Sequence, residues 1–207
     1  MTSKRPSSNR WLRRQESDPY VRRAHQDGWR SRAVYKLLEM QERHRLMKPG
    51  SDVLDLGAAP GAWSQYAASV VKRNGRVIAV DLLDIDPISG VDFIQGDFRE
   101  SETLSRVLEC IATQRLDLVM SDMAPNISGN RSVDQPRAMY LAELAAELAG
   151  KVLKPGGSMV LKLFHGEGFD DFVRSARKQF GGVRVRKPAA SRAQSRETYM
   201  VATNFRL

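Results

Sequence analysis

The chain has 207 residues, enough for one domain with a substantial core, and its 42% apolar and 28% charged residues are an ordinary balance for a globular protein. No apolar run approaches the roughly 18 residues of a membrane span, and no apolar h-region follows the charged N-terminus, so neither a membrane protein nor a secreted one is expected. The net charge is +9, but residues 1–32 carry nine Lys/Arg against three acids, residues 172–196 carry eight against none, and residues 33–171 carry fifteen against twenty; two basic segments on an acidic body read as a footprint for nucleic-acid phosphate.

Residues 1–30 are polar and basic without apolar periodicity, and are expected to form a flexible arm ahead of a single domain over 31–207. Ser31 can cap a helix over 31–46, where Val34, Leu37, Leu38 and Met40 recur at helical spacing, and Pro49-Gly50 ends it. Strand-like runs then alternate with helical stretches. The strands are Val53–Leu56, Arg76–Val80, Asp92–Ile94, Leu116–Met120 and Ser158–Phe164. The helices are 61–72, 100–113, 135–152 and 168–179. Cys110, the only cysteine, falls in the second of these helices as a small core residue, which fits a reducing, cytoplasmic setting. Two further strands, Val183–Arg186 and Thr198–Thr203, are separated by a basic loop with no room for a helix, which predicts an antiparallel pair at the sheet edge. The pattern is that of an α/β, Rossmann-like fold: seven strands, mostly parallel, with helices on both faces.

The candidate chemistry sits where these strands end. Val53-Leu54-Asp55-Leu56 runs into Gly57-Ala58-Ala59-Pro60-Gly61-Ala62-Trp63, a small-residue turn that opens a helix. Such a turn lets backbone approach a ligand closely and offers it helix N–H groups. The second strand ends in Asp81, placed to accept hydrogen bonds from both hydroxyls of an adenosine ribose, and the third leads to Gly96-Asp97-Phe98, whose acid could meet an adenine amino group. A dinucleotide cofactor is disfavoured, because the G-x-G-x-x-G fingerprint is replaced by Gly57-x-x-x-Gly61 with Pro60 inside it. The fourth strand ends at Asp122, ahead of a proline turn at Pro125. In the fifth, Lys162 interrupts the apolar run Val160–Phe164; an unpaired ammonium in such a strand is costly, so it either reaches solvent at the strand end or faces a site. By contrast, Lys36 on the first helix and Glu197 before the last strand carry no signal of their own.

The chain resembles the FtsJ/RrmJ family of heat-shock ribosomal RNA methyltransferases over essentially its whole length. The matching segments are Arg30-Ser31-Arg32-Ala33 with Lys36-Leu37, the loop 55–65, Val91-Asp92-Phe93 with Gln95-Gly96-Asp97-Phe98, Ser121–Asn126, Pro136-Arg137-Ala138-Met139-Tyr140, and Ser191-Arg192-Ala193 with Ser195-Arg196-Glu197. This resemblance implies S-adenosyl-L-methionine as cofactor and methylation of a uridine ribose 2′-hydroxyl in the A-loop of large-subunit (23S) ribosomal RNA, on the assembled subunit, by a monomer. It implies a Lys-Asp-Lys-Glu catalytic tetrad at Lys36, Asp122, Lys162 and Glu197. Cofactor contacts are implied at Gly61, Trp63, Asp81, Asp97 and Asp122, and the small-residue turn adds Gly57. Ala62 stands where close relatives carry a second glycine, a small-for-small exchange. No metal is expected, since three His and one Cys form no ligand cluster. Lys162 is the candidate base, or else the group that orients the hydroxyl and steadies its developing charge. A non-catalytic RNA-binding factor on the same scaffold would predict a broken turn or tetrad, and both are intact.

Overall fold

The structure, a computed structural model, describes residues 18–112 and 114–206. Its elements in chain order are α1 (Pro19–Gln26), α2 (Val34–His44), β1 (Asp52–Leu56), α3 (Ala62–Val71), β2 (Arg76–Asp81), β3 (Val91–Gln95), α4 (Ser101–Ile111), β4 (Leu116–Ser121), α5 (Arg131–Val152), β5 (Leu153–Phe164), α6 (Phe169–Gln179), β6 (Phe180–Arg186) and β7 (Glu197–Phe205). They build one seven-stranded sheet in the order β3-β2-β1-β4-β5-β7-β6. The pairs among β1 to β5 are parallel, and β7 runs antiparallel to both β5 and β6. The antiparallel pair expected at this edge is therefore present, with β7 inserted one position in and β6 outermost.

The central strands are buried on both faces, as their continuous apolar runs require, and strand alternation sorts their side chains into two cores. Val53, Val77, Leu118, Met120, Val160 and Tyr199 point to one face, where Leu37 and Met40 of α2 and Trp63 and Ala67 of α3 cover them. Leu54, Ile78, Val119, Met159 and Leu161 point to the other, under Val107 of α4, Ala145 and Leu148 of α5 and Val173 of α6. No helix is long and apolar enough to cross a membrane among the described residues.

Several boundaries differ from expectation: β5 begins at Leu153, five residues before the expected Ser158, and α2 begins at Val34 with Ala33 rather than Ser31 as its N-cap. Helix α5 begins at Arg131, four residues before the predicted 135, because Asn130 caps it by accepting from the Ser132 N–H. Pro136 lies inside the helix, in its second turn, where it removes the hydrogen bond that residue 136 would otherwise donate to the Ser132 carbonyl. Of the arm expected over 1–30, residues 1–17 lie outside the described residues. Residues 18–30 are packed onto the domain: Asp18 caps α1 ahead of Pro19, and Ala24 is buried against Val34, Tyr35 and Ala190. Asp18 also pairs with Arg32 at 2.5 Å and with Arg192 at 3.8 Å. The packed body thus begins by residue 18, and the two basic segments of the chain meet at one acid.

Candidate active site

The carboxyl ends of β1, β2, β3 and β4 surround a cavity of about 590 Å³, a size typical of small-molecule sites. Its wall includes Gly57, Ala59, Asp81, Leu82, Gly96, Asp97, Phe98, Asp122 and Pro125. The turn after β1 is folded back by the Gly57 and Ala58 N–H groups, both donating to Val80 O at 2.8 and 3.1 Å. Gly57 has φ +76°, and a Cβ there would stand 2.2 Å from Met123 Cγ, so only glycine lets this turn and the segment after β4 close on one another. Asp81 is aimed by its neighbours: the Ala59 N–H donates to one carboxylate oxygen and the Leu83 N–H to the other, each at 2.8 Å. The Asp97 carboxylate accepts from the Arg99 guanidinium and the Arg99 N–H, and these hydrogen bonds hold it below the usual carboxylate range. Two of the expected cofactor residues, Gly61 and Trp63, lie off the cavity wall. Gly61 backs onto Arg30 and Ile88, and Trp63 is buried, donating from Nε1 to Ala33 O at 2.8 Å and leaning on the Tyr199 ring.

Asp122, at the end of β4, joins this cavity to a cluster of charges. Lys162 Nζ donates to Asp122 Oδ1 at 2.7 Å and to the Asp122 carbonyl at 2.6 Å. Lys36 Nζ lies 2.9 Å from Glu197 Oε1 and 3.8 Å from Asp122 Oδ1, and donates to the Tyr199 hydroxyl at 2.8 Å. The Tyr199 hydroxyl donates in turn to Asp122 Oδ1. Lys36, Asp122, Lys162 and Glu197 are therefore brought together. The antiparallel course of β7 is what does it, since it sets Tyr199 opposite Lys162 and Glu197 opposite Phe164. Lys36 descends onto the same face from the first turns of α2, which Leu37 and Met40 pin to the core.

The electrostatics follow from this geometry. Burial alone would raise the Asp122 carboxyl, but the Lys162 and Lys36 ammonium groups, with hydrogen bonds from Lys162 and Tyr199, outweigh it and hold Asp122 ionised below its usual range. Burial, then the charges of Asp122 and Glu197, push the Tyr199 phenol well above its usual value, so it remains a donor. Tyr199 was within reach of the sequence reading, because it lies two residues beyond Glu197 and so on the same face of a strand. What hid its role was an ordinary identity: a tyrosine in a strand reads as core.

Beneath the turn, Asp55 is fully buried and accepts from Ser64 Oγ at 2.6 Å. Burial raises its carboxyl; the Ser64 hydrogen bond resists, and the charges of Asp122 and Asp81 add to the rise, which reaches about 7. The folded state thus binds a proton more tightly than the unfolded chain, and stability falls as pH rises from about 4 to about 7. The slope should be at most about 1.4 kcal/mol per pH unit. Asp55→Asn, isosteric with the protonated acid, should remove this slope. Urea midpoints at pH 5 and pH 7 check it, and equal pH sensitivity of parent and variant would show that Asp55 does not titrate on unfolding.

Comparison with known proteins places this geometry among relatives. Residues 29–205 match the family model of the FtsJ-like methyltransferases. The chain is 56% identical over 200 residues to ribosomal RNA large subunit methyltransferase E of Pseudomonas aeruginosa, and 55% identical over 201 residues to the protein of that name from Marinobacter nauticus. Each alignment covers 97% of both chains. Among solved structures, one assigned as a ribosomal RNA methyltransferase from Plasmodium falciparum superposes with a TM-score of 0.76 at 26% identity, covering 86% of this chain and 98% of the other. An rRNA-methylase structure from Clostridium thermocellum, with TM-score 0.54 and 17% identity, shares the fold.

Proposed function

The chain belongs to the FtsJ-like methyltransferase family, whose members use S-adenosyl-L-methionine, and on that premise we propose that it methylates large-subunit ribosomal RNA at the ribose 2′-oxygen of a uridine in the A-loop of the assembled subunit. The observation that carries this reading is the convergence of Lys36, Lys162 and Tyr199 on one oxygen of Asp122, at the edge of a cavity suited to a nucleoside. Two ammonium groups beside a carboxylate suit a step in which a neutral hydroxyl becomes a negatively polarised oxygen.

The cavity fits the cofactor. Its wall carries three carboxylates, Asp81, Asp97 and Asp122, toward a ligand whose sulfonium is cationic, and the Gly57 turn leaves backbone room beside them. Asp81 would hold the ribose hydroxyls and Asp97 the adenine amino group. When bound, the cofactor supplies an electrophilic methyl group. The protein's part is alignment. Lys162, with two hydrogen bonds committed to Asp122, presents a further N–H to the incoming 2′-oxygen and steadies the charge that develops there, while the hydroxyl proton, which the oxygen gives up as it takes the methyl group, leaves to solvent. Lys36 and Glu197 hold Asp122 and Tyr199 in register across the site. The basic segments that contain Arg32 and Arg192 meet at Asp18 and would supply a phosphate-binding approach for RNA.

The direct test is mass mapping of ribosomal RNA after incubating purified enzyme and cofactor with large subunits lacking the modification. A methyl group on an A-loop uridine ribose is the expected result; methylation of a base, or of no ribosomal RNA, would refute the reading. Asp81→Ala should weaken S-adenosylmethionine binding by about 1.5–3 kcal/mol through loss of a charged acceptor, with the fold retained. Titration calorimetry with unchanged affinity would remove Asp81 from the site. Residues 1–17 carry five Lys/Arg and one Glu. We propose that they touch RNA, so their deletion should leave cofactor affinity intact while making the salt dependence of subunit binding shallower, by up to about three to four in log–log slope. An unaltered slope would mean that this segment does not reach phosphate.

A further inference from the structure

The cavity has a second character that the cofactor does not account for. Beyond the three carboxylates its wall continues through Arg99, Asn126, Arg137, Tyr140 and Leu141. S-Adenosylmethionine is cationic at its sulfonium and carries a single carboxylate, so it does not call for an exposed guanidinium together with an exposed aromatic ring. Arg99 is paired with Asp97, whereas Arg137 is exposed and makes no ion pair or hydrogen bond among the described residues.

Arg137 and Tyr140 lie three residues apart on α5, so they share one helix face, and both line the cavity. Tyr140 is 51% exposed. It is not isolated. Among the described residues the exposed large apolar side chains are Leu82, Leu83, Leu108, Ile127 and Tyr140. Leu82 and Tyr140 line the cavity, and Leu83 and Ile127 follow lining residues directly in sequence. This rim sits on a rigid support. Asp134, at the start of α5, accepts from Ser128 N and Oγ and from Gly129 N, fixing the segment that follows Asp122. Gln135 donates to the Phe164 and Glu167 carbonyls, tying the same helix start to the end of the lysine-bearing strand.

We infer that the Arg137–Tyr140 face of α5 is an RNA-docking site that grips a nucleotide neighbouring the one to be methylated, with a base stacked on the Tyr140 ring and its phosphate on the Arg137 guanidinium. The inference rests on the RNA-methylating reading above and extends it to a specific contact. Its argument is complementarity: a free guanidinium and an exposed ring, side by side at the mouth of the methyl-donor cavity, match a single-stranded nucleotide in both charge and π surface.

The test measures binding, by fluorescence anisotropy, of a labelled single-stranded RNA oligonucleotide and of deproteinised large-subunit RNA, and separately binding of whole large subunits. Tyr140→Ala should weaken all three about ten-fold, and Tyr140→Phe, which keeps the ring, should restore binding. Arg137→Ala should weaken binding and lower the salt slope by about one, with Arg137→Lys largely restoring both. Both side chains also line the cofactor cavity, so calorimetric affinity for S-adenosylmethionine is the control, and it should fall by a clearly smaller factor than RNA affinity in each variant. Lost cofactor affinity with intact RNA binding would overturn the proposal in favour of a lid on the adenine. Weakening confined to whole subunits would overturn it in favour of a ribosomal-protein contact, and no weakening at all would overturn it outright. A parent protein that binds these RNAs through Tyr140 and Arg137 yet methylates no ribosomal RNA would uphold this site and refute the proposed substrate, so the two failures are distinct.

Discussion

Replacing Lys162 with alanine is expected to abolish methyl transfer while leaving the fold and cofactor affinity nearly intact. Lys162 lies in an otherwise apolar strand, and its ammonium is accommodated there only because Asp122 accepts from it twice. Truncation leaves Asp122 with Lys36 and the Tyr199 hydroxyl, so no charge is stranded. Lys162 is absent from the cavity wall, which is why cofactor binding should move little. On the proposed mechanism what is lost is the group that faces the ribose hydroxyl, and a positioned proton donor or acceptor of this kind is worth about 10²–10⁴-fold. Arginine should not restore activity, because a planar guanidinium cannot occupy the position of a compact ammonium between the Asp122 carbonyl and carboxylate. The measurement is single-turnover transfer to large subunits at saturating cofactor. A rate within a few-fold of the parent would reduce Lys162 to a strand residue satisfied by its neighbour. The pH dependence of the same rate separates the two roles. An orienting ammonium predicts no gain from deprotonating it, whereas a base predicts a rate that rises with pH until the amine is neutral.

Asp122→Asn should have the next largest effect, and on more than one property. The carboxylate oxygen that receives Lys36, Lys162 and Tyr199 becomes a neutral amide oxygen, and two ammonium groups are left with only Glu197 to offset them. Removing one member of a buried charge cluster costs about 3–5 kcal/mol when the site is fully dry. The Asp122 side chain keeps 19% exposure, so about 2–3 kcal/mol is the expected loss of stability. The variant should also lose at least about 10²-fold in transfer, since Lys162 is no longer held in place. The pH dependence has a definite sign. Asp122 is held below its usual range in the fold, so its contribution is complete above the unfolded carboxylate range and disappears as pH falls through the lower folded value. The gap in unfolding free energy between parent and variant should therefore narrow on acidification. A gap that is constant from neutral pH down to strongly acidic pH would show that the charge of Asp122 contributes nothing to the fold.

Sequence and structure divide the work along a physical line. Periodicity and strand-end chemistry are local, and they were legible: the alternation of apolar runs and amphipathic helices, the glycine turn after β1, Asp81 and Asp97 at successive strand ends, Asp122 before its proline turn, and Lys162 as a charge in an apolar strand. Each is a conflict or a cue contained within a few residues. Lys36 and Glu197 carry no such cue, because a lysine on a helix and a glutamate before a strand are ordinary at the surface. They were reachable only by resemblance to a family. Tertiary structure makes them a site. Strand β7 inserts antiparallel between β5 and β6, so its first residues, not its last, arrive at the carboxyl end of the parallel strands, and Glu197 and Tyr199 meet Lys162 and Asp122 there. Trp63 shows the same division from the other side. The resemblance to the family implied a cofactor contact there; in the fold the ring packs on Tyr199, its N–H donates to Ala33 O, and Trp63 is not part of the cavity wall. The segment 18–30 was read as loose because it has little apolar periodicity, yet Asp18, held by Arg32 and Arg192 from two distant parts of the chain, seats it on the domain. By itself, then, the sequence determined the fold class, the acidic strand ends that line the cavity and the odd lysine, all of which depend on neighbours in the chain. The register of β7, the seating of α1 and the closure of the charge cluster around Asp122 depend on contacts between residues far apart in sequence, and only the folded chain decides those.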